Sequence, residues 1–446
     1  MNLNRVAKEG WYFIGIGGVS MSALALLLHD RGIPVRGSDA KDSEYTDKLR
    51  KRGIPVSIGE TEEITEQNVV YTGAIENTNT QLCAAKAAGK RLIPRAECLG
   101  KIASEYPFTV SVAGCHGKTS TTAMLSHIFL RAERAFTCHI GGEDSVLGNF
   151  YSSATETEHC FITEACEFQR SFLSLHSSVA VILNTDKDHT DCYRDEQELV
   201  AAYRQFAEQA EKVVVNADDL NARDFPHALS FGFYAGDIRA DRIRAEREKY
   251  SFTVTERGIS VVRIRLNVVG KFQIANALAA YAAARLSGLS ASEIKCGLED
   301  FRGVKRRFEE VGTLCGIPVI CDYAHHPREI SATLSAAQKI CEGTVRLVFQ
   351  PHTYTRTRDL MKEFLAVLKK AENPVIYRTF AAREPFDFSG SAVVLTSRLP
   401  EASYVQSPEQ LKKRLTADLK PEDLILVLGA GNIYETACSI VDPKTV

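Results

Sequence analysis

One glycine-rich segment constrains the fold of this chain more than any other feature. Residues 110–122 read Val-Ser-Val-Ala-Gly-Cys-His-Gly-Lys-Thr-Ser-Thr-Thr, an apolar run followed by a tight turn and then by residues that can begin a helix. A strand–turn–helix of this kind directs backbone N–H groups and a helix N-terminus at one point, which suits a phosphate. Lys118 adds a positive charge, and Thr119 adds a hydroxyl that can bind Mg²⁺. The loop, Gly-x-x-Gly-Lys-Thr, is shorter than the common phosphate-binding pattern because Val112 stands where that pattern has a glycine. We therefore predict a nucleotide-phosphate site, with an ordinary strand–turn–helix corner as the alternative.

Composition excludes several classes of protein. The 446 residues are 45% hydrophobic and 25% charged, which is typical of a soluble globular protein with roughly two to four domains. The formal net charge of −2 provides no global field for nucleic acid or an anionic membrane. The N-terminus lacks the apolar region of a signal peptide, and apolar runs such as 424–428 are too short to span a bilayer. Twelve cysteines without a Cys-x-x-Cys pair indicate reduced thiols in the cytoplasm rather than a zinc site.

The first block, residues 1–106, alternates short apolar runs with helical patterns and predicts a doubly wound parallel sheet. Its opening run is followed by Gly15-Ile16-Gly17-Gly18, which resembles a dinucleotide fingerprint except that Ser20 occupies the third glycine position. Asp39 lies near the distance at which an acid would bind a ribose. The turn is compatible with NAD, with another nucleotide diphosphate, or with no ligand, and the turn alone does not decide among them.

The second block, residues 107–308, contains the phosphate loop and further strand-like runs. One run ends in Glu164, and another is followed by Asp186, Asp188, His189 and Asp191. Because ligands bind beyond the carboxyl ends of parallel strands, we expect Glu164 and His189 to lie near Lys118 and to bind a divalent metal. Helix capping is the alternative for Asp186, Asp191 and His189. Residues 239–269 alternate with period two and predict antiparallel strands, and Asn276 lies near the start of the helix that follows.

The third block, residues 309–446, repeats the strand–helix alternation and predicts a second Rossmann-like domain. Its strand-like runs end in Asp322-Tyr323-Ala324-His325-His326-Pro327, in Gln350-Pro351-His352 and in Gly429-Ala430-Gly431. Histidines at several strand ends of one edge favour a substrate site over simple helix starts. The predicted fold class is α/β with three domains, each on a mainly parallel sheet, and a small antiparallel addition in the central one. The cations at 305–307 are either a solvated surface or a phosphate contact.

Ten motifs, taken in order, resemble those of the Mur ligase family over nearly the whole chain. They are Gly15-Ile16-Gly17-Gly18, Gly37-Ser38-Asp39, Pro94-Arg95-Ala96-Glu97, Gly114-Cys115-His116-Gly117-Lys118-Thr119, Glu164-Ala165-Cys166-Glu167, Asp188-His189-Thr190-Asp191, Arg306-Arg307-Phe308 and the three strand ends of the third block. The resemblance implies a UDP-sugar-binding first domain, a central ATPase domain and a C-terminal domain that binds an amino acid and closes the site. It implies that ATP phosphorylates the muramyl carboxylate of UDP-N-acetylmuramate and that the amine of L-alanine attacks the acyl phosphate, in peptidoglycan precursor synthesis.

The same resemblance assigns roles to individual residues. It implies catalysis by Lys118, Glu164, His189 and Arg307, with Mg²⁺ bound by Thr119, Glu164 and His189. It implies ATP binding by Gly114, Cys115, His116, Gly117, Lys118, Thr119, Ser120, Asn276, Arg307 and Asp322. It implies UDP-sugar binding by Gly15, Gly17, Gly18, Ser38, Asp39, Thr72, Ala74 and His116, and amino-acid binding by Tyr323, His325 and His352. Because Thr353 stands where the family arginine is usual, Arg356 is the expected substitute as the nearest arginine in sequence, with Arg358 as the alternative. A cytoplasmic protein, monomeric or weakly dimeric, is expected.

Two positions depart from the family pattern. Gln273 stands where the family usually has an asparagine near the adenine, and Thr353 stands where many members that add alanine have an arginine. The alternatives are a related ligase that attaches another amino acid or a recycled peptide, an NAD-dependent oxidoreductase, and a nucleotide-binding regulator without catalysis. The glycine turn of the peptide-attaching ligases, Gly-x-Cys-Gly-Thr-Phe-Met, is absent from the sequence.

Overall fold

Three separate β-sheets organise the protein. The computed structural model describes residues 9–59, 63–153, 159–186, 192–246 and 249–443. Within these residues, sheets of five, ten and seven strands follow one another along the chain, and each falls inside one of the three predicted blocks. The predicted α/β class with mainly parallel sheets is confirmed. Asp188, His189 and Asp191 lie outside the described residues.

The first sheet is entirely parallel. Its elements are β1 (Trp11–Ile14), α1 (Val19–Asp30), β2 (Val35–Asp39), α2 (Glu44–Lys51), β3 (Val56–Ile58), β4 (Asn68–Tyr71), α3 (Thr80–Ala87), β5 (Arg91–Pro94) and α4 (Arg95–Ala103). The strand order is β3–β2–β1–β4–β5. All four residues of β1 are buried, as expected for a central strand that helices cover on both faces.

The second sheet combines a parallel centre with antiparallel edges. Its elements are β6 (Phe108–Ala113), α5 (Lys118–Arg131), β7 (Phe136–Asp144), β8 (Gly148–Ser152), β9 (Cys160–Glu164), β10 (Val179–Ile182), α6 (Glu196–Glu208), β11 (Lys212–Asn216), β12 (Leu229–Gly232), β13 (Ile238–Glu246), β14 (Lys249–Glu256), β15 (Ile259–Val269), α7 (Phe272–Leu286) and α8 (Ala291–Asp300). The order is β15–β14–β13–β12–β11–β10–β6–β9–β7–β8. The predicted antiparallel addition is the meander β13–β14–β15. Helix α7 is alanine-rich and buried on nearly every side, so it forms the core beneath this sheet.

The third sheet is mainly parallel as well. Its elements are β16 (Glu309–Leu314), β17 (Ile317–Asp322), α9 (Pro327–Ile340), β18 (Val345–Phe349), α10 (Tyr354–Asp359), α11 (Met361–Leu368), β19 (Val375–Tyr377), α12 (Ala392–Ser397), β20 (Ser403–Val405), α13 (Pro408–Thr416), β21 (Leu424–Leu428), α14 (Ile433–Ile440) and β22 (Asp442–Pro443). The order is β20–β19–β18–β21–β17–β16–β22, with β16 antiparallel to both of its neighbours. The ends of β17, β18, β19 and β21 therefore meet at one edge, which carries the predicted histidines.

Polar contacts join the three sheets to one another. Lys48 of α2 contacts Glu143 of β7 at 3.0 Å, and Arg328 of α9 pairs with Asp186 beyond β10. These contacts connect the first domain to the second and the second to the third. No helix in the described part of the chain is both long enough and apolar enough to cross a bilayer.

Candidate active site

The phosphate loop lies between β6 and α5, where the sequence predicts it. Gly114 and Gly117 have φ angles of 142° and 86°, which an L side chain rarely adopts. A Cβ atom on Gly117 would lie 2.4 Å from the Asn276 amide oxygen. The turn therefore requires both glycines, and the close approach of α7 also requires Gly117.

Lys118 points back over its own loop and forms a buried ion pair. Its Nζ atom donates to the Gly114 carbonyl at 2.5 Å and lies 2.9 and 3.1 Å from the two carboxylate oxygens of Glu167. The Glu167 side chain is 0% exposed. Burial alone would lower the pKa of Lys118, but the Glu167 charge outweighs it and the pKa is raised. The sequence analysis assigns no role to Glu167, although this residue belongs to the Glu164-Ala165-Cys166-Glu167 motif. The Glu-x-x-Glu spacing at the end of β9 is the sequence feature that points to a second carboxylate near the loop.

Thr119 and Glu164, the two predicted oxygen ligands that the structure describes, lie beside the loop. The Glu164 carboxylate accepts the Gly141 N–H at 2.6 Å, and the nearby Thr119 side chain acts to lower the pKa of this carboxyl group. Burial raises the pKa of Glu164, against the opposing effect of the Lys118 charge. Within the described ranges no group of three or more His, Cys, Asp or Glu side chains forms a metal site. The third predicted ligand, His189, lies outside those ranges.

A cavity of about 240 Å³ opens beside the phosphate loop, between the second and third sheets. Six of the residues predicted to bind ATP line it: His116, Gly117, Ser120, Asn276, Arg307 and Asp322. It is also lined by residues that sequence reasoning did not assign to ATP, including Asn184, Phe231, Phe272, Arg328, Glu329 and Thr333. Gln273, which stands where the family usually has an asparagine, also lines the cavity. Its side-chain oxygen accepts a hydrogen bond from the Asn276 amide at 3.0 Å.

Among the described residues, Asp322 is one of two carboxylates that line this cavity, and Glu329 is the other. Asp322 is 8% exposed, and its two oxygens accept the N–H groups of Phe308 and Ala324, each at 2.8 Å. Burial raises the pKa of Asp322 to about 6, although Arg307 and the two N–H groups act in the opposite direction. The carboxyl group is thus fixed in place and able to accept hydrogen bonds from a ligand when ionised.

His116 connects the phosphate loop to the third sheet. Its Nδ1 atom lies 2.9 Å from a Glu329 carboxylate oxygen, and its Nε2 atom lies 3.5 Å from Asp186. The other Glu329 oxygen accepts the backbone N–H of His325 at 3.0 Å. Glu329 therefore contacts both His116, which is predicted to bind ATP, and His325, which is predicted to bind the amino acid. Glu329 and His116 are 213 residues apart in sequence, so no local sequence pattern predicts their contact.

The predicted amino-acid residues form one continuous row. The ring centroids of Tyr323 and His325 are 5.5 Å apart, and those of His325 and His352 are 5.7 Å apart. Arg356 donates towards His352 Nδ1 at 3.2 Å, and the Arg307 guanidinium lies 4.9 Å from the centre of the Tyr323 ring. The row thus has a cation at each end, and Arg307 also lines the nucleotide cavity.

The predicted UDP-sugar residues meet at the carboxyl edge of the first sheet. The Gly17 N–H donates to Asp39 at 2.8 Å, so this acid braces the glycine turn. A Cβ atom on Gly15 would lie 2.8 Å from the Thr72 methyl group. Ser38 donates to the Gln81 side chain at 2.7 Å. His116, predicted to contact both nucleotides, lines the cavity beside the phosphate loop.

Comparisons with known proteins agree along the whole chain. The profile described as "Mur ligase family, catalytic domain" matches residues 11–107, that of the "Mur ligase middle domain" residues 112–284, and that of the "Mur ligase, glutamate ligase domain" residues 306–431. A UDP-N-acetylmuramate–L-alanine ligase from Agathobacter rectalis is 37% identical over 95% of this chain and 96% of the relative. The enzyme of the same name from Acetivibrio thermocellus is 38% identical over 95% and 94%.

Solved structures show the same architecture. The UDP-N-acetylmuramate-alanine ligase of Thermotoga maritima superposes with a TM-score of 0.84 at 26% identity, covering 97% of this chain and 98% of that one. A murein peptide ligase from Psychrobacter arcticus superposes with a TM-score of 0.75 at 21% identity, covering 97% and 98%. At 21% identity, the similarity to the murein peptide ligase shows a shared fold only.

Proposed function

Because the chain belongs to the Mur ligase family, we propose that it joins L-alanine to the muramyl carboxylate of UDP-N-acetylmuramate at the expense of ATP, in peptidoglycan precursor synthesis. One observation carries the proposal. Arg307 lines the nucleotide cavity and also lies over Tyr323 of the amino-acid row. A ligase that activates a carboxylate with ATP and then presents it to an amine needs a cation at that junction.

The reaction proceeds in two steps. A carboxylate oxygen attacks the γ-phosphorus of ATP, the bond to the β-phosphate breaks, and an acyl phosphate and ADP are formed. The amine of alanine, having lost a proton, then attacks the acyl carbon, and phosphate leaves as the amide bond forms. Both steps bring anions together, so their barriers fall when fixed cations neutralise the charge that develops.

The cations of this chain have distinct tasks. Lys118 contacts the transferring phosphoryl group once its Nζ atom exchanges the Gly114 carbonyl and Glu167 for phosphate oxygens. Arg307 stabilises the acyl phosphate from the other side. Asp322 accepts the ribose hydroxyls of ATP, and Asn276 contacts the adenine, with Gln273 as its neighbour.

Thr119 and Glu164 would hold Mg²⁺, together with His189. The Thr119 hydroxyl and the buried Glu164 carboxylate fit this ion because both are hard oxygen donors, one at the start of α5 and the other at the end of β9. When bound, the ion would neutralise phosphate charge. The Gly141 N–H donates to Glu164 and holds the carboxylate beside the loop.

The remaining assignments follow from the same function. Gly15, Gly17, Gly18, Ser38, Asp39, Thr72 and Ala74 bind the UDP portion, and Tyr323, His325, His352 and Arg356 bind alanine. The domains extend over residues 1–106, 107–308 and 309–446. We place the protein in the cytoplasm as a monomer or weak homodimer.

Formation of ADP tests the function directly. The purified protein should release ADP with ATP, Mg²⁺, UDP-N-acetylmuramate and L-alanine, and release should cease when any one is omitted. Parallel reactions with glycine, L-serine and a muropeptide-type tripeptide examine the alternative ligases. A faster reaction with the tripeptide than with alanine would favour the peptide-attaching alternative, and no amine-dependent ADP with any of them would refute the ligase.

A further inference from the structure

Phe380 extends the row of aromatic rings by one member that the sequence did not reveal. Its ring lies against His352 with centroids 5.5 Å apart and planes inclined by 17°. It follows β19, the strand next to β18 in the sheet, so its position at the edge depends on the fold and not on any nearby motif. The Phe380 ring is the last of the row, at the end away from Arg307.

The backbone fixes Phe380 relative to His352. The Phe380 N–H donates to the Pro351 carbonyl at 2.9 Å, and the Phe380 carbonyl accepts the Thr353 N–H at 3.0 Å. His352 and Phe380 thus form a short parallel bridge. These hydrogen bonds fix the backbones of the two residues side by side.

The loop after β21 supports the ring from another side. A Cβ atom on Gly431 would lie 2.6 Å from both Cβ and Cγ of Phe380. Only a residue without a side chain allows this approach. Phe380 is nevertheless not fully buried, so part of the ring remains available to a ligand at the edge of the sheet.

We propose that Phe380 is a specificity-determining residue, whose ring limits the size of the amino-acid side chain that the site accepts. This inference rests on the proposed function. With the amino-acid carboxylate at Arg356 and the amine directed at the acyl group beside Arg307, the side chain lies along the row and meets His352 and Phe380. A fixed ring excludes larger groups, because the surrounding backbone prevents it from moving aside.

The test compares amino acids that differ by single carbon groups. In Phe380→Ala, the ratio of kcat/KM for L-alanine to that for L-2-aminobutyrate should fall at least about tenfold, because one methylene in an apolar pocket changes such ratios by about 10- to 200-fold. Phe388→Ala is the matched control, since it removes the same group from the same segment at a side chain that is 62% exposed. Phe380→Leu, which keeps an apolar side chain but removes part of the ring, should lower the ratio in the same direction by a smaller factor that still exceeds the change in Phe388→Ala, and it serves as the test if the alanine variant does not fold.

The outcomes separate this inference from the function on which it rests. If the unmodified protein forms no ADP with alanine, the proposed function is wrong and the inference falls with it. If the unmodified protein is active and the ratio changes no more in the Phe380 variants than in Phe388→Ala, only the inference is overturned. A larger KM for alanine with an unchanged ratio would assign Phe380 to support of His352 alone, and would also overturn it.

Discussion

Replacement of Lys118 should damage the stability of the protein as well as its catalysis. The Glu167 carboxylate is fully buried, and both of its oxygens lie within 3.1 Å of Lys118 Nζ. Removal of one member of a buried pair leaves an uncompensated charge and costs about 3–5 kcal/mol of unfolding free energy. In Lys118→Met we therefore expect a loss of that size, together with a fall in turnover of roughly two to four orders of magnitude.

A second substitution separates the two effects. Lys118→Met/Glu167→Gln carries no buried charge at this position, so it should regain most of the lost stability. It should stay as inactive as Lys118→Met, because the cation that contacts the transferring phosphoryl group is still missing. Glu167→Gln alone should cost less stability than Lys118→Met, since the Gly114 and Cys115 carbonyls remain as partners of Lys118.

Two measurements check this prediction. Denaturant unfolding gives the free energies, and hydrogen exchange by mass spectrometry across β6 and α5 shows whether the loss is confined to the phosphate loop. If the double variant is no more stable than Lys118→Met, an unpaired Glu167 charge is not the cause of the lost stability. Near-normal ADP formation in the folded single variant would refute the assignment of Lys118 to ATP.

Three further substitutions test other parts of the site. Burial raises the folded pKa of Asp322 from 3.8 to about 6, so stability is lost as the pH rises between these two values and is constant above them. Nucleotide affinity, measured by calorimetry, should weaken as the pH falls through about 6, and Asp322→Asn should abolish this dependence. Arg356→Ala should raise the KM for alanine at least roughly tenfold through loss of a charge-assisted contact, and similar rises in the KM values for ATP and UDP-sugar would contradict it. In Gly141→Ala the new Cβ would lie 2.5 Å from the Glu164 carboxylate and would displace it. Half-maximal activity should therefore require more Mg²⁺, while the affinity for UDP-sugar, measured by calorimetry, should stay unchanged. An unchanged Mg²⁺ requirement would argue against Glu164 as a ligand.

The local parts of the site could be predicted from the sequence because their determinants are contiguous. The apolar run, the two glycines and Lys118 specify strand, turn and helix within a dozen residues, and the structure has β6, the loop and α5 there. The same holds for the strand ends of the third sheet, where the order of the motifs fixes which residues share an edge.

The long-range parts could not be predicted, because nothing local distinguishes them. Glu329 lies in the first turn of α9 and looks like an ordinary helix-capping acid, a role that it also performs. Its contact with His116 depends on how the second and third sheets pack together. Phe380 likewise acquires a neighbour in His352 only when β18 and β19 pair.

Arg307 is held by both of the sheets between which it lies. Its N–H donates to the Val304 carbonyl at 3.1 Å, and Val304 pairs with Asp144 at the end of β7. On the other side, the Tyr323 N–H donates to the carbonyl of Arg306 at 2.8 Å. Arg306 has a φ angle of 62°, a conformation that costs about 1–2 kcal/mol for a residue with a side chain. Such a cost persists only where the surroundings fix the backbone.

These hydrogen bonds offer a reason why Arg307 lies in the segment that connects the second and third sheets. Phosphoryl transfer and attack by the amine occur at the same carboxyl group, one reached from the nucleotide cavity and the other from the amino-acid row. A guanidinium attached to only one of the two sheets would be correctly placed for one of these steps. Its position for the other step would then depend on how the two sheets pack together. Because a displacement of about 1 Å can reduce a rate by about 100-fold, hydrogen bonds from both sides suit Arg307 to the role that we propose for it in both steps.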